Sequence, residues 1–424
     1  MNWLQRYHFR SVWKRSLWLL PSLAIIVALW IMPMVRWIDS VTLWSWLNLT
    51  PEGAKSILGA FSASMLTFVV FIVSSVLIVV QLATAQLTPR VIAWIFASHA
   101  IKWVLAIYTF AYTFTLAVAS RIDNVVPQFP VAVAILLNLF CIAIFFWFVQ
   151  HLGGALRPIA ILVAVARDGM KVVESVYPDA YVHAEMETPR PATPNGDRKV
   201  ITHGASSGVV MAFSHKDLLI LAERANATIE LVPQVGDFLA KGDPLFRISP
   251  AHASMNEREL LSCVAIGPER TMEHDPRFAF RIMVDIANKA LSPAINDPTT
   301  AVLALDQLHR LLNYVGRRRL DAGQMLDSRG QLRVQYGTPD WADFVNLAVT
   351  EIRHYGAGSM QVVRRLRAML DHLLRVLPES RHAALKQELT LLQSSTQRLF
   401  HDEVDRNTAA IGDLQGLGGS DAVS

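Results

Sequence analysis

Four stretches of the chain, residues 17–35, 57–82, 103–119 and 131–149, contain no Asp, Glu, Lys or Arg. Each approaches or exceeds the roughly 20 residues of helix that cross a hydrocarbon core. A water-soluble helix of that length needs a polar face, and none of the four has one. Residues 1–156 are therefore predicted to form a membrane-spanning region of four helices. Lys14 and Arg15 precede the first run as they would in a secretory signal. That run is longer than a signal core, rich in Trp, and lacks a small-x-small cleavage pattern, so it reads as a retained span.

The remaining residues must carry most of the charge. A chain with 52% hydrophobic and 17% charged residues is the average of two unlike parts. Its net charge of +4 suits anionic lipid as well as nucleic acid and decides between neither. No basic patch is interleaved with aromatics, so no nucleic-acid partner is expected. Cys141 and Cys263 form neither a disulfide framework nor a metal spacing.

Orientation rests on basic residues at the ends of the runs. Arg6, Arg10, Lys14, Arg15, Arg90, Lys102, Arg157, Arg167 and Lys171 outweigh Arg36, Lys55 and Arg121. Both termini are thus expected in the cytoplasm, with Trp37, Trp44 and Trp46 in an outer aromatic belt. Thr50-Pro51-Glu52 has the cap, proline and acid order of a helix start. Thr88-Pro89 repeats the cap and proline, ahead of a short helical piece at 91–97.

Beyond the spans, 158–176 reads as an amphipathic helix leaving the membrane and 187–199 as a Pro-rich linker; together, 157–199 separate two regions. Residues 200–250 read as a small β-module, with strands at 199–202, 208–213, 228–232 and 244–248 and a helix at 216–224. Residues 228–248, with VPQVGDFLAKGDPLFRI, resemble the hairpin half of a lipoyl- or biotinyl-type barrel-sandwich module. The attachment lysine is missing, so no cofactor is implied; an ordinary small β-module is the plainer reading. Residues 251–410 return to helical patterning and are predicted as a helical domain. It holds a basic segment at 317–337 and helices at 340–377 and 380–406, paired as a hairpin broken at Pro378-Glu379. A flexible tail is expected at 411–424. Arg317–Arg319, Arg364, Arg365 and Arg367 are candidates for lipid headgroups, or more simply a solvated helix face.

The densest chemistry lies in 266–301, IGPERTMEHDPRFAFRIMVDIANKALSPAINDPTTA. Asp275-Pro276 and Asp297-Pro298 each place a carboxylate at an N-cap and a proline at the first helical position. The alternative is that two such helix starts converge on an anion. Arg281, Asp285 and Lys289 share one helix face, opposite apolar Phe280, Val284, Ala287 and Leu291, and favour an ion-pair ladder. Arg270, Asp275, Arg281, Asp285, Lys289, Asn296 and Asp297 form the candidate ligand or assembly set. Glu273, His274 and Asp275 are adjacent and do not point at one site, so neither metal nor hydrolytic chemistry follows. With no phosphate loop and no nucleophile elbow either, no enzyme is expected.

This order of residues resembles a large bacterial family of predicted integral membrane proteins of unknown function, the DUF2254 type. Gly267, Arg270, Thr271, Asp275, Phe278, Asp285, Ala290, Ser292, Pro293, Asn296, Asp297, Pro298 and Thr300 stand at the family's characteristic places. Ala294 stands where the family often has glycine. The resemblance extends over nearly the whole chain and implies a bacterial cytoplasmic-membrane protein with no assigned activity.

In the spans, Thr67, Ser74, Gln81 and Thr88 recur every seven residues, and Tyr108, Tyr112 and Thr115 follow helical spacing. Helix packing through hydrogen bonds explains such stripes simply. The sharper expectation is a polar pathway lined by Thr67, Ser74, Gln81, Tyr108 and Tyr112, forming a pore in a homo-oligomer. The runs hold no carboxylate, which argues against proton-coupled transport. The sequence thus predicts an all-α four-helix transmembrane region in a lipid bilayer and a cytoplasmic α+β region. The function expected of it is channel-like or transport-associated, with a regulatory or assembly domain. The alternative is a membrane-tethered scaffold or sensor whose 266–301 stretch binds a partner, a small molecule or an ion.

Overall fold

The computed structural model describes residues 2–42, 49–90, 92, 98–123, 125–155, 157–181 and 197–418. The expected features at Trp44, Trp46, 93–97 and 187–196 lie outside them. The chain forms two compact units, Arg10–Ala160, and Met1–Phe9 with Ile161–Ser424.

Among the described residues of the first unit, four helices are long and apolar enough to cross a membrane: α2 (Leu19–Thr42), α3 (Pro51–Gln86), α4 (His99–Ala119) and α5 (Gln128–Ala155). All begin or end beyond the charge-free runs, because charged residues serve at helix ends. The Thr50 hydroxyl caps α3 by accepting from Gly53 N at 3.2 Å. Asp39, near the end of α2, accepts from Phe129 N at 2.8 Å and so satisfies an early N–H of α5. A cluster of Met32, Val35, Ala54, Leu58, Val118 and Val131 joins the end of α2, the start of α3, the end of α4 and the start of α5. Successive helices therefore run up and down. Trp18, Trp37, Trp103 and Trp147 are exposed near helix ends, as amphipathic rings at a membrane interface would be.

Polar groups buried in this bundle join helices. Tyr108 Oη donates to Cys141 O at 2.5 Å, and Asn138 Nδ2 donates to Thr115 Oγ1 at 2.8 Å and to Ala134 O at 2.7 Å. Asn138 Oδ1 is buried without a partner, which offsets part of that gain. Asn138→Leu is therefore expected to lower bundle stability by only about 1 kcal/mol, measured by denaturant titration in bicelles. A loss of several kcal/mol would show that the amide is more than a packing contact.

The second unit holds two sheets. β1 (Lys199–Thr202), β3 (Thr228–Leu231), β5 (Pro244–Ser249), β7 (Gln324–Leu326) and β8 (Leu332–Tyr336) form one, in the order β1-β5-β3-β8-β7. β2 (Gly208–Phe213), β4 (Phe238–Leu239) and β6 (Val264–Gly267) form the other, in the order β4-β2-β6. β3 shows the alternation of a half-buried strand. Ile229 and Leu231 point into the core, while Glu230 pairs outside with Arg247 at 2.8 Å. This corrects the expected local β-module at 200–250: β6, β7 and β8 come from the region read as helical. The segment 317–337 is a hairpin end whose β8 pairs in parallel with β3. Its turn is set by Asp327, which accepts from Arg329 N and Gln331 N and from the buried Arg333. β4 and β5 lie in different sheets, so the barrel-sandwich hairpin does not close on itself. Its two Gly-Asp turns do form: Gly236 and Gly242 both adopt φ 95°, and Asp237 and Asp243 each accept a backbone N–H at 2.8 Å.

The helices of this unit are α6 (Pro158–Val176), α7 (His215–Arg224), α8 (Glu257–Leu261), α9 (Pro276–Ala290), α10 (Pro298–Gly316), α11 (Trp341–Gly356), α12 (Met360–Val376), α13 (His382–Leu399) and α14 (Glu403–Ala409). α9 packs on α10 and α11, α10 on α12, and α12 on α13. α6 meets α9 where a Cβ on Gly169 would stand 2.7 Å from Ala279 Cβ. The single helix expected at 340–377 is two, broken where Gly356 folds against Val362; that at 380–406 is broken before Glu403. Arg364 and Arg365 are buried and Arg318 donates to Pro178 O at 2.8 Å, so these three do not form a headgroup-facing row.

Residues 411–418 are clasped rather than loose. The Asp413 carboxylate accepts from Gln415, Gly416 and Gly418 N at 2.9, 2.8 and 2.6 Å, and Arg364 Nε donates to Ile411 O at 3.1 Å. Burial pushes the Asp413 carboxyl up, but these N–H donors and Arg364 outweigh it and hold it below its ordinary range. Asp413→Ala is expected to free the segment at a cost of about 2 kcal/mol, read as faster hydrogen exchange over 411–418 with α10 unchanged.

α1 (Trp3–Arg15) begins in this unit too: Trp3, Leu4 and Tyr7 pack on Met211 and Ala212 of β2 and Ala265 of β6. The expected boundary at 156 thus misses the first nine residues.

Candidate functional site

Asp275 is the hub of the stretch 266–301. It caps α9, its Oδ1 accepting from Arg277 N at 3.0 Å, and its Oδ2 accepts from Arg270 Nε. At 3% exposure it is a buried charge that must be paired. Arg270 reaches it by crossing Gly236, where a Cβ would displace the guanidinium and φ 95° already favours glycine. Arg277 Nη2 donates to Val235 O at 3.1 Å and ties the same turn to α9.

This corner opens into a cavity of about 310 Å³. Its floor is Asp275, Pro276 and Arg277; its walls include Tyr177, Phe213, His215, Gln234, Asp321 and Tyr336. The Phe213 ring lies 4.3 Å from His215 and 5.0 Å from Tyr336, centroid to centroid, giving an aromatic wall. Tyr336 Oη donates to Asp321 Oδ2, whose other oxygen accepts from Gly323 N at 3.0 Å. Burial pushes the Tyr177 hydroxyl up to about 12, opposed by its hydrogen bond with Thr338. His215 is pushed down by burial and by His274, against Asp321, and so is neutral at pH 7.

The other expected residues stand apart from this cavity. Arg281 pairs with Asp285 at 2.6 Å and reaches across to Glu351 of α11 at 2.5 Å, where Asn288 also donates at 2.7 Å. The expected ladder along one helix is therefore a joint between α9 and α11, with Lys289 half-buried one turn on. Asp297 caps α10 through Thr300 N at 3.0 Å. Asn296, at φ 48°, makes the left-handed turn, so Ala294 needs no glycine's freedom. The two helix starts do not converge, since only that of α9 lines the cavity. Sequence reasoning missed His215, Tyr177, Asp321, Tyr336 and Glu351. Only the alternation Leu332, Val334, Tyr336 hinted at one of them.

The expected polar pathway does not assemble within one protomer. Thr67, Ser74 and Gln81 are exposed on α3, and Thr67 Oγ1 donates back to Ala63 O at 3.0 Å. Tyr108 is buried in its bond to α5, and Tyr112 is half-buried.

A family model described as "Predicted membrane protein (DUF2254)" matches residues 14–372. The uncharacterized protein Mb1321c of Mycobacterium bovis is 28% identical over 409 residues, covering 92% of this chain and 78% of its own length. The uncharacterized protein Rv1290c of Mycobacterium tuberculosis matches to the same extent. No solved structure matches the chain.

Proposed function

The chain belongs to the DUF2254 family of predicted membrane proteins, and from that premise we propose that it is a membrane-embedded sensor. Its non-membrane unit binds a small polar ligand in the cavity at the start of α9 and takes no part in catalysis. The carrying observation is the cavity itself, where a buried charge hub, an aromatic wall and the Gln234–Val235 turn meet. By the distribution of basic residues this unit lies in the cytoplasm and the spans in the bacterial inner membrane. The test is hydrogen exchange on the full-length protein in nanodiscs across a metabolite library. A ligand is expected to protect 208–217 and 274–284 together. No protection at either segment by any compound defeats the sensor.

A second reading, a channel-like homo-oligomer, is favoured by the exposure of Thr67, Ser74 and Gln81. Polar side chains outside a bundle are better placed against another copy than against lipid. Reconstituted protein that passes neither ions nor small solutes, under voltage and tension, removes it.

A further inference from the structure

The cavity at the start of α9 is selective in what it leaves unsatisfied. Its carboxylates are occupied. Asp275 takes Arg277 N on one oxygen and Arg270 Nε on the other, and Asp321 takes Gly323 N and the Tyr336 hydroxyl. Its donors are not. Arg277 Nε is buried and makes no hydrogen bond, standing 3.9 Å from Asp275 Oδ1. The ring nitrogens of His215 make none among the described residues. The fixed charges of Arg270 and Arg277 cancel those of Asp275 and Asp321, leaving two imidazoles, His215 and His274, beside them. A charged ligand would lose its hydration and find no uncompensated counter-charge. The wall of Phe213, His215 and Tyr336 offers ring faces and edges to a flat molecule. The volume of about 310 Å³ lies at the small end for ligand pockets.

We infer that this cavity takes a neutral, planar ring compound carrying a hydrogen-bond-accepting carbonyl, a reading that rests on the sensing role proposed above. The carbonyl oxygen takes the Arg277 Nε–H, the ring lies against Phe213 and Tyr336, and His215 offers one N–H and one lone pair to the ligand's edge. Open donors beside closed carboxylates select the carbonyl, and paired charges disfavour ions.

Three isosteric probes separate these features: benzamide, benzoate and benzylamine, followed by ligand-observed NMR on the full-length protein in nanodiscs. Benzamide is expected to bind saturably and at least about tenfold more tightly than either ion, and to weaken about tenfold in Arg277→Gln. If Arg277→Gln does not fold, His215→Leu, which removes a donor and a ring edge, is expected to weaken benzamide likewise. Benzoate or benzylamine binding more tightly than benzamide, with sensitivity to these substitutions, overturns the ligand class and leaves the site standing. Binding that neither substitution affects, or no binding by any probe, overturns both.

Discussion

Asp275→Ala is expected to destabilise the non-membrane unit by about 3–5 kcal/mol, the range for removing one partner of a buried ion pair. The size follows from what the carboxylate faces. Two guanidiniums, Arg270 and Arg277, share it, and at 3% exposure water does not replace it. Its loss also uncaps α9, worth about 0.5–2 kcal/mol within that range. Asp275→Asn separates the two effects, because asparagine caps as well as aspartate but brings no charge. It is expected to cost about 2–3 kcal/mol. Global-exchange amides of α9 in the full-length protein report both changes. A loss under 1 kcal/mol for the alanine variant would mean that Arg270 and Arg277 find other partners or water.

Acidification is expected to weaken the same unit through a pair of histidines. His309 of α10 lies 2.8 Å from His372 of α12, Nε2 to Nδ1, and receives Arg365 Nη2 on its Nδ1 at 3.0 Å. Arginine only donates, so His309 Nδ1 accepts, its proton sits on Nε2, and His372 Nδ1 accepts in turn. Both rings are therefore neutral. Burial, then Arg365, then His372 push His309 down to about 4, and burial with Arg375, Arg317 and Arg365 pushes His372 down as well. Asp306, at 2.7 Å from Arg365, is the carboxylate beside the pair and does not reverse this. Between about pH 6.5 and 4 the unfolded chain binds protons that the folded one does not. Stability is thus complete above about pH 6.5 and falls toward pH 4, by about 2–3 kcal/mol after allowing for partial exposure. His309→Gln keeps one acceptor and one donor and is expected to flatten most of the slope. An unchanged slope would place the titration elsewhere.

The spans were legible because lipid imposes one rule on every residue of a run, and a single charge breaks it. The caps at Thr50, Asp275 and Asp297 were legible because capping is local and needs only a few neighbouring residues. Length estimates failed where charged side chains serve at helix ends, as Asp39 does for α5. The β-module failed for a different reason. Parallel pairing of β3 with β8 joins residues about a hundred positions apart, and no local pattern names the partner. Arg281 shows the same limit. Its pairing with Asp285 was visible as a spacing of four, whereas Glu351 belongs to another helix and became a neighbour only through packing. The cavity is the extreme case, drawing its walls from α6, β2, α7, the Gly236 turn, α9 and β8.

The docking of residues 2–9 onto β2 and β6 has a consequence for how the molecule is made. Those residues leave the ribosome before the four long apolar helices, while the sheet that receives them is not complete until Gly267 has emerged. The nascent chain must therefore hold Trp3, Leu4 and Tyr7 without their partner throughout membrane insertion, and close the unit only near the end of synthesis. Substitutions at Trp3, Leu4 or Tyr7 act on that last step and leave insertion untouched.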